Sequence, residues 1–207
     1  MRGKFISFEG PDGSGKTSVI KVVEKYFIDK GYETMVTREP GGIKISEKIR
    51  DIIHDVEHQE MDPRTEALLY AASRSQHLHQ KILPALEKGI IVLCDRYVDS
   101  SLAYQGVGRH LGIDRVLNIN MFAIDSVFPD LTIFVDVRPE IGLQRVFNSD
   151  EREKNRLDLE PLKFHTEIYN GYQEIIKLYP NRIKKINGEQ SIDLVAQDAI
   201  KLIEEYI

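Results

Sequence analysis

The sequence is short of several things, and each absence removes a class of protein. Among its 207 residues there is one cysteine, Cys94, so no intrachain disulfide framework can form and a reducing, cytoplasmic setting is expected. Cys94 ends the apolar run Ile90-Ile91-Val92-Leu93-Cys94 and reads as a small buried hydrophobe rather than a nucleophile. No apolar run approaches the roughly 18 residues that would mark a membrane span. The first residues break into a strand and a glycine loop too early to form a secretory signal. The formal net charge is only -5, with both signs interspersed, which argues against a binder of duplex DNA or of a membrane surface. There is no repeat, low-complexity tract or linker. The expectation is a single domain, 1–207, large enough to bury a sizeable core.

Strands and helices alternate throughout. That pattern predicts an α/β fold with a five-stranded parallel sheet and helices on both faces. Lys4–Glu9, Glu33–Arg38, Ile90–Cys94, Leu131–Val137 and the weaker Ile183–Ile186 read as strands. Val19, Val22, Val23, Tyr26 and Phe27 recur at helical spacing, with Gly31 as a stop. Ile45, Ile49, Ile52 and Ile53 mark a second helix. Asp62-Pro63 caps a third, which runs through Leu68, Leu69, Ala72 and His79 and kinks near Pro84. Helical spacing from Ser100 to Ala123 falls in two pieces split near Gly106 to Gly112. Pro139 opens a short helix carrying Arg145. Phe164, Ile168, Tyr172 and Ile175 mark a long helix that ends at Pro180, and Ser191 reads as the cap of the last one.

The chemistry concentrates at strand ends. After the first strand comes Gly10-Pro11-Asp12-Gly13-Ser14-Gly15-Lys16-Thr17, which fits the phosphate-binding pattern of glycine, four residues, glycine, lysine and serine or threonine. Gly13 and Gly15 permit backbone turns that a side chain would forbid. Successive N–H groups then converge on an anion, Lys16 adds a point charge, and Thr17 adds a hydroxyl for Mg²⁺. Strand, glycine loop and helix are the setting the motif requires, which favours phosphate binding over an idle turn. Asp95 closes another apolar strand and suits Mg²⁺ directly or through water; alone it would equally suit a turn cap. Arg38 and Arg96 lie just beyond strand ends, the edge where ligands of open α/β sheets bind, and their planar forks suit phosphate.

Arg145, Arg152, Lys154 and Arg156 cluster in a charged stretch that reads either as a solvated loop, offset by Asp150, Glu151, Glu153 and Asp158, or as a mobile lid. Two further matches carry little. His54-Asp55-Val56-Glu57-His58 fits an inverted zinc-protease pattern but lies at a polar helix end with no third ligand at a telling spacing. Asn155-Arg156-Leu157-Asp158 faintly echoes a guanine-reading motif but sits in a charged loop, not after a buried strand.

Taken together, Phe8-Glu9-Gly10 with the loop through Thr17, Thr37-Arg38-Glu39-Pro40-Gly41-Gly42, Asp95-Arg96-Tyr97 and Ser100-Ser101-Leu102-Ala103-Tyr104-Gln105 resemble bacterial thymidylate kinases over essentially the whole chain. The resemblance implies a P-loop nucleoside-monophosphate-kinase-like fold. It implies transfer of the ATP γ-phosphoryl to dTMP, giving dTDP and ADP for dTTP synthesis, with Mg²⁺ and in a homodimer, and with no nucleic-acid or membrane partner. Carried over by position, Gly10, Pro11, Asp12, Gly13, Ser14, Gly15, Lys16 and Thr17 hold ATP, and Thr17 and Asp95 hold Mg²⁺. Arg38 and Arg96 hold the acceptor phosphate, with Glu39, Arg50, Arg74 and Tyr97 around the same substrate and Arg74 near the thymine edge. Tyr70 stacks on the base, Ser101 and Gln105 bond it, Tyr104 crowds the sugar where a ribonucleotide carries its extra hydroxyl, and Asp12 approaches the 3′-hydroxyl.

Members of that family divide by where the catalytic arginine lies: one branch places a basic residue inside the phosphate loop, where this chain has Gly13 and Ser14. The other carries arginines in the lid, here about 146–158, with Arg145, Arg152 and Arg156 as the candidates. The turn from Asn187 to Ser191 is a candidate for adenine contacts. Another monophosphate or deoxynucleoside kinase, or a nucleotide-dependent switch, are the alternatives.

Overall fold

The computed structural model describes residues 2–148 and 155–207; Arg152 and the middle of the expected lid, 149–154 of 146–158, lie outside the described residues. The strands are β1 (Phe5–Glu9), β2 (Thr34–Arg38), β3 (Ile91–Asp95), β4 (Leu131–Asp136) and β5 (Ile183–Asn187). They form one five-stranded parallel sheet, as expected from the alternation, and its order is β2-β3-β1-β4-β5. β1 is central, so the loop that leaves its carboxyl end opens between the ends of β3 and β4.

The two-residue period of a strand sorts β1 between the faces. Ile6 and Phe8 join Val19, Ile20, Val23 and Phe27 of α1 (Lys16–Asp29) and Val195, Ala199 and Ile203 of α9 (Ile192–Glu204) in one core. Phe5 points the other way, into a core built with α3 (Pro63–His77), α4 (Leu83–Glu87) and α6 (Ile113–Ile124). A third cluster joins Phe134 of β4 to Leu102 and Tyr104 and to Phe164, Ile168, Tyr172 and Ile175 of α8 (Leu162–Leu178). The remaining helices are α2 (Lys44–His54), the single turn α5 (Val98–Ser101) and α7 (Pro139–Phe147). No helix among the described residues is long and apolar enough to cross a membrane.

Three local expectations change. The chain stays helical through Pro84: a π-helical turn at Leu78–Ile82 precedes it and leads directly into α4. A wider turn relieves the hydrogen-bond register that proline interrupts. Leu68, Ala72 and His79 face out, while α3 turns Glu66, Ala67, Ala71, Ser73, Arg74 and His77 inward. The inward face of that helix lines a polar site, so the apolar stripe does not mark it. Ser191 occupies the cap position of α9 in an extended conformation, but its side chain makes no capping bond. Asp62 does cap α3, accepting from the N–H groups of Arg64 and Thr65. Cys94 is fully buried, and burial pushes its thiol up.

Candidate active site

The loop after β1 turns through left-handed backbone at Gly13 (φ 73°) and Gly15 (φ 87°), where a side chain would be strained. Lys16 then starts α1 with its side chain folded under the loop. Its ammonium donates to the carbonyls of Gly10 (3.1 Å) and Pro11 (3.0 Å) and to Ser14 Oγ (3.1 Å). Burial, with Arg96 nearby, brings the Lys16 pKa down to about 8. Thr17 Oγ1 donates to Asp95 Oδ2 at 2.6 Å, so the hydroxyl and the carboxylate expected at a metal stand side by side.

The loop has a neighbour that sequence did not point to. A Cβ at Gly13 would meet Gly142 O of α7 at 2.0 Å, and a Cβ at Gly142 would meet Asp12 O at 2.3 Å. The two backbones touch because neither residue has a side chain. Gly142→Ala is therefore expected to displace the loop and weaken ATP binding at least about tenfold, since backbone cannot yield as a flexible side chain does. Calorimetric titration with ATP, beside a melting curve, checks this.

Across a cleft of about 990 Å³ from the loop lies an arginine-rich half. Arg96 follows β3 in a left-handed conformation (φ 69°), which turns its side chain back over the sheet edge. One guanidinium nitrogen donates to Ser100 Oγ (3.1 Å) and Tyr172 OH (3.2 Å), the other to Asp12 Oδ1 (2.8 Å) and Tyr104 OH (3.0 Å). Tyr104 OH also donates to Asp12 Oδ2 at 2.7 Å, so Asp12, Arg96 and Tyr104 form one closed unit. Behind it, Glu9 accepts from the Tyr97 N–H (2.7 Å), Ser100 Oγ and Tyr172 OH (2.9 Å). Burial and the Asp99 carboxylate push the Glu9 pKa up to about 7, against the pull of Arg96.

Arg74 is buried to 2% exposure and makes four hydrogen bonds. It donates to Glu39 Oε2 (2.7 Å), Ser101 Oγ (3.0 Å), Asn120 Oδ1 and the Tyr97 carbonyl (3.0 Å). Glu39 also pairs with His77. Arg74 thus ties β2, α5 and α6 together while still lining the cleft. Arg38, largely exposed, pairs with Glu47 at 2.8 Å, and Arg50 donates to the Pro40 carbonyl at 3.0 Å. Gln105 lies on a π-helical stretch, Leu102–Gly108.

Most of the residues singled out in the sequence meet in this cleft. Asp12, Gly13, Gly15, Lys16, Thr17, Arg38, Glu39, Arg50, Tyr70, Arg74, Asp95, Arg96, Ser101, Tyr104, Gln105 and Arg145 all line it. Gly10, Pro11 and Ser14 instead supply the oxygens under Lys16. Tyr97 is a core residue: its ring packs edge-on against Phe5 at 4.9 Å and its hydroxyl donates to the Val127 carbonyl. Arg145, in the last turn of α7, reaches the Gly188 carbonyl at 3.3 Å. Arg156 is not among the residues lining the cleft; its guanidinium donates to Glu66 and to the Ile53 carbonyl.

Asn155-Arg156-Leu157-Asp158 forms a turn closed by the Asn155 and Asp158 side chains. His54 lines the cleft and is held neutral, its pKa lowered to about 3 by burial and by Arg50. Among the described residues no three His, Cys, Asp or Glu groups gather as a metal site, so the zinc pattern finds no support. Sequence reading missed Glu66, Arg109 and Asn120. The available signal was spacing: Glu66, Tyr70 and Arg74 fall at i, i+4 and i+8, one face of α3.

The thymidylate kinase family model matches residues 8–199, a span that contains every cleft residue named above. The chain belongs to the thymidylate kinase family. It is 56% identical to a thymidylate kinase of Oceanobacillus iheyensis over 207 residues, covering 100% of this chain and 92% of that protein. Against one from Clostridium novyi it is 54% identical over 197 residues, 95% of this chain and 96% of that protein. Against one from a Geobacillus species it is 53% identical over 207 residues, 100% and 99%.

Proposed function

We propose that this cleft transfers the γ-phosphoryl group of ATP to dTMP, giving dTDP and ADP on the route to dTTP. One observation carries the reading: a lysine-bearing phosphate loop faces an acceptor half in which Arg96, Asp12 and Tyr104 are locked into one unit. No general base is required, because a phosphate monoester with a second pKa of roughly 6 is already mostly dianionic at neutral pH. The obstacle is an anion approaching an anion. Lys16 and Arg96 offset that repulsion, and the loop N–H groups fix the donor in line.

Thr17 and Asp95 are oxygen donors joined at 2.6 Å, a set that suits a hard divalent cation shared with phosphate oxygens. They would hold Mg²⁺, which supplies charge neutralisation on the outer phosphates. Tyr104, fixed from two sides, occupies the place beside the sugar. Tyr70 lies in the cleft wall where a base would stack. Among the described residues Arg145 is the lid-side arginine that lines the cleft; Arg156 is committed to Glu66. Residues of about 146–158 act as the lid of a single domain. A cytoplasmic setting suits the lone buried cysteine.

A homodimer fits the exposed apolar residues of three adjoining helices: Ile45 and Ile52 of α2, Leu68 of α3 and Phe122 of α6, the last 93% exposed. Sedimentation is expected to show a dimer for the native chain and a monomer for Phe122→Asp. A native monomer at micromolar concentration contradicts the assignment. The function itself is tested by ADP release against an acceptor panel. Strong turnover with dTMP, weak with dUMP and none with UMP is expected. Turnover with thymidine but not dTMP would move the acceptor to a nucleoside.

A further inference from the structure

Glu66 has no part in the chemistry described so far, yet its side chain is completely buried against the cleft wall. It accepts four hydrogen bonds. Gln105 Nε2 (2.9 Å) and Arg109 Nε (3.4 Å) reach Oε1, and Arg109 Nη2 (3.3 Å) and Arg156 Nη2 reach Oε2. Burial opposes ionisation of Glu66, but Arg109, Arg156 and Gln105 outweigh it and hold the carboxyl below its usual range.

An ionised carboxylate accepts and never donates. Gln105 must therefore turn its NH₂ toward Glu66, which leaves Oε1 as the amide atom available to the cleft. A free amide could present either end; this one is fixed as an acceptor. A pyrimidine with an imide N–H in its ring, as in thymine or uracil, offers the donor that such an oxygen needs. Cytosine carries an acceptor at the same ring position, and two acceptors facing each other leave both desolvated and unpaired.

We propose that Glu66 is a positioning residue for base specificity: by holding the Gln105 amide in one orientation it makes the acceptor pocket select an imide-bearing pyrimidine and reject cytosine. This rests on the reading of the cleft as a dTMP site with Gln105 at the base.

Glu66→Gln is the informative change. Two guanidinium donors converge on Oε2, while Oε1 receives only the longest of the four bonds, from Arg109 Nε at 3.4 Å, besides Gln105, so the new glutamine keeps its oxygen at the Oε2 position and turns its NH₂ to Gln105. Gln105 then offers its oxygen to residue 66 and its NH₂ to the cleft. The expected result is that kcat/KM for dTMP falls, kcat/KM for dCMP rises in absolute terms, and their ratio drops at least about tenfold. A purely structural role would lower both substrates together, and a variant with an unchanged ratio overturns the proposal. Glu66→Asp, still acceptor-only, is expected to keep the native ratio; loss of the ratio there also counts against it.

If Glu66→Gln does not fold, the native protein still decides. The Gln105 side-chain amide protons, followed by nuclear magnetic resonance, are expected to exchange slowly and to stay protected when dTMP binds. Fast exchange overturns the proposal. Absence of dTMP turnover in the native enzyme would instead sink the underlying reading of the cleft, an outcome distinct from the two above.

Discussion

Replacing Arg96 by alanine is expected to lower turnover of dTMP by about 10³-fold while the chain still folds, the scale set by arginines that stabilise a transferring phosphoryl group. Arg96 touches Asp12, Tyr104, Ser100 and Tyr172 together. Its removal takes away charge opposite the acceptor phosphate and also frees the Asp12–Tyr104 pair that frames the sugar. Glu9 loses the charge that opposes its upward shift, so a carboxyl already at about 7 moves higher still. Folding survives because the apolar clusters on both sheet faces do not include Arg96. Lysine at this position supplies charge without the planar fork, so Arg96→Lys should recover only part of the rate. Steady-state kinetics beside circular dichroism separate the two effects. A folded alanine variant with near-native turnover would remove Arg96 from the mechanism.

The second large effect is expected at Lys16. Lys16→Met should cost a similar factor in kcat, because the ammonium under the loop is the only lysine charge lining the cleft among the described residues. Its pH dependence has a definite sign. Burial, reinforced by Arg96, lowers the Lys16 pKa from its ordinary value to about 8. The charged form is therefore lost as pH rises through that value in the free enzyme. Since kcat/KM reports free-enzyme ionisations and kcat those of the complex, kcat/KM for ATP should fall above about pH 8. At saturating ATP the phosphates favour the ammonium, and kcat should hold to higher pH. Coincident profiles for kcat and kcat/KM would contradict this, as would an alkaline limb that persists unchanged in Lys16→Met.

The sheet was legible because β1, β3 and β4 are short apolar runs that end at turns and the strand and helix patterns alternate, and the phosphate loop because its spacing leaves little freedom. Asp62 could be read as a cap because proline follows it. The face of α3 could not be read the same way. Its inward side carries Glu66, Arg74 and His77, and their partners Gln105, Glu39 and Asn120 lie far along the chain. Local periodicity sees only that such residues are polar; burial is decided by partners it cannot see. Arg156 shows the same limit. In the sequence it is one more arginine in a charged stretch, whereas in the fold it reaches a carboxylate 90 residues earlier. The contact of Gly13 with Gly142 was hidden for a related reason, since nothing local says which backbone a glycine must let pass. The π-helical turns at Leu78–Ile82 and Leu102–Gly108 alter the helical period too little, over too few residues, to register in a pattern of apolar side chains.

The most direct test of the account is the initial rate of ADP release from ATP and Mg²⁺, measured with and without dTMP. Phosphoryl transfer between the loop and an Arg96-centred acceptor site requires release to be nearly absent without dTMP and to saturate as dTMP is added, with one dTDP formed per ADP. ADP release that is indifferent to dTMP would contradict the account and leave only a nucleotide-binding loop.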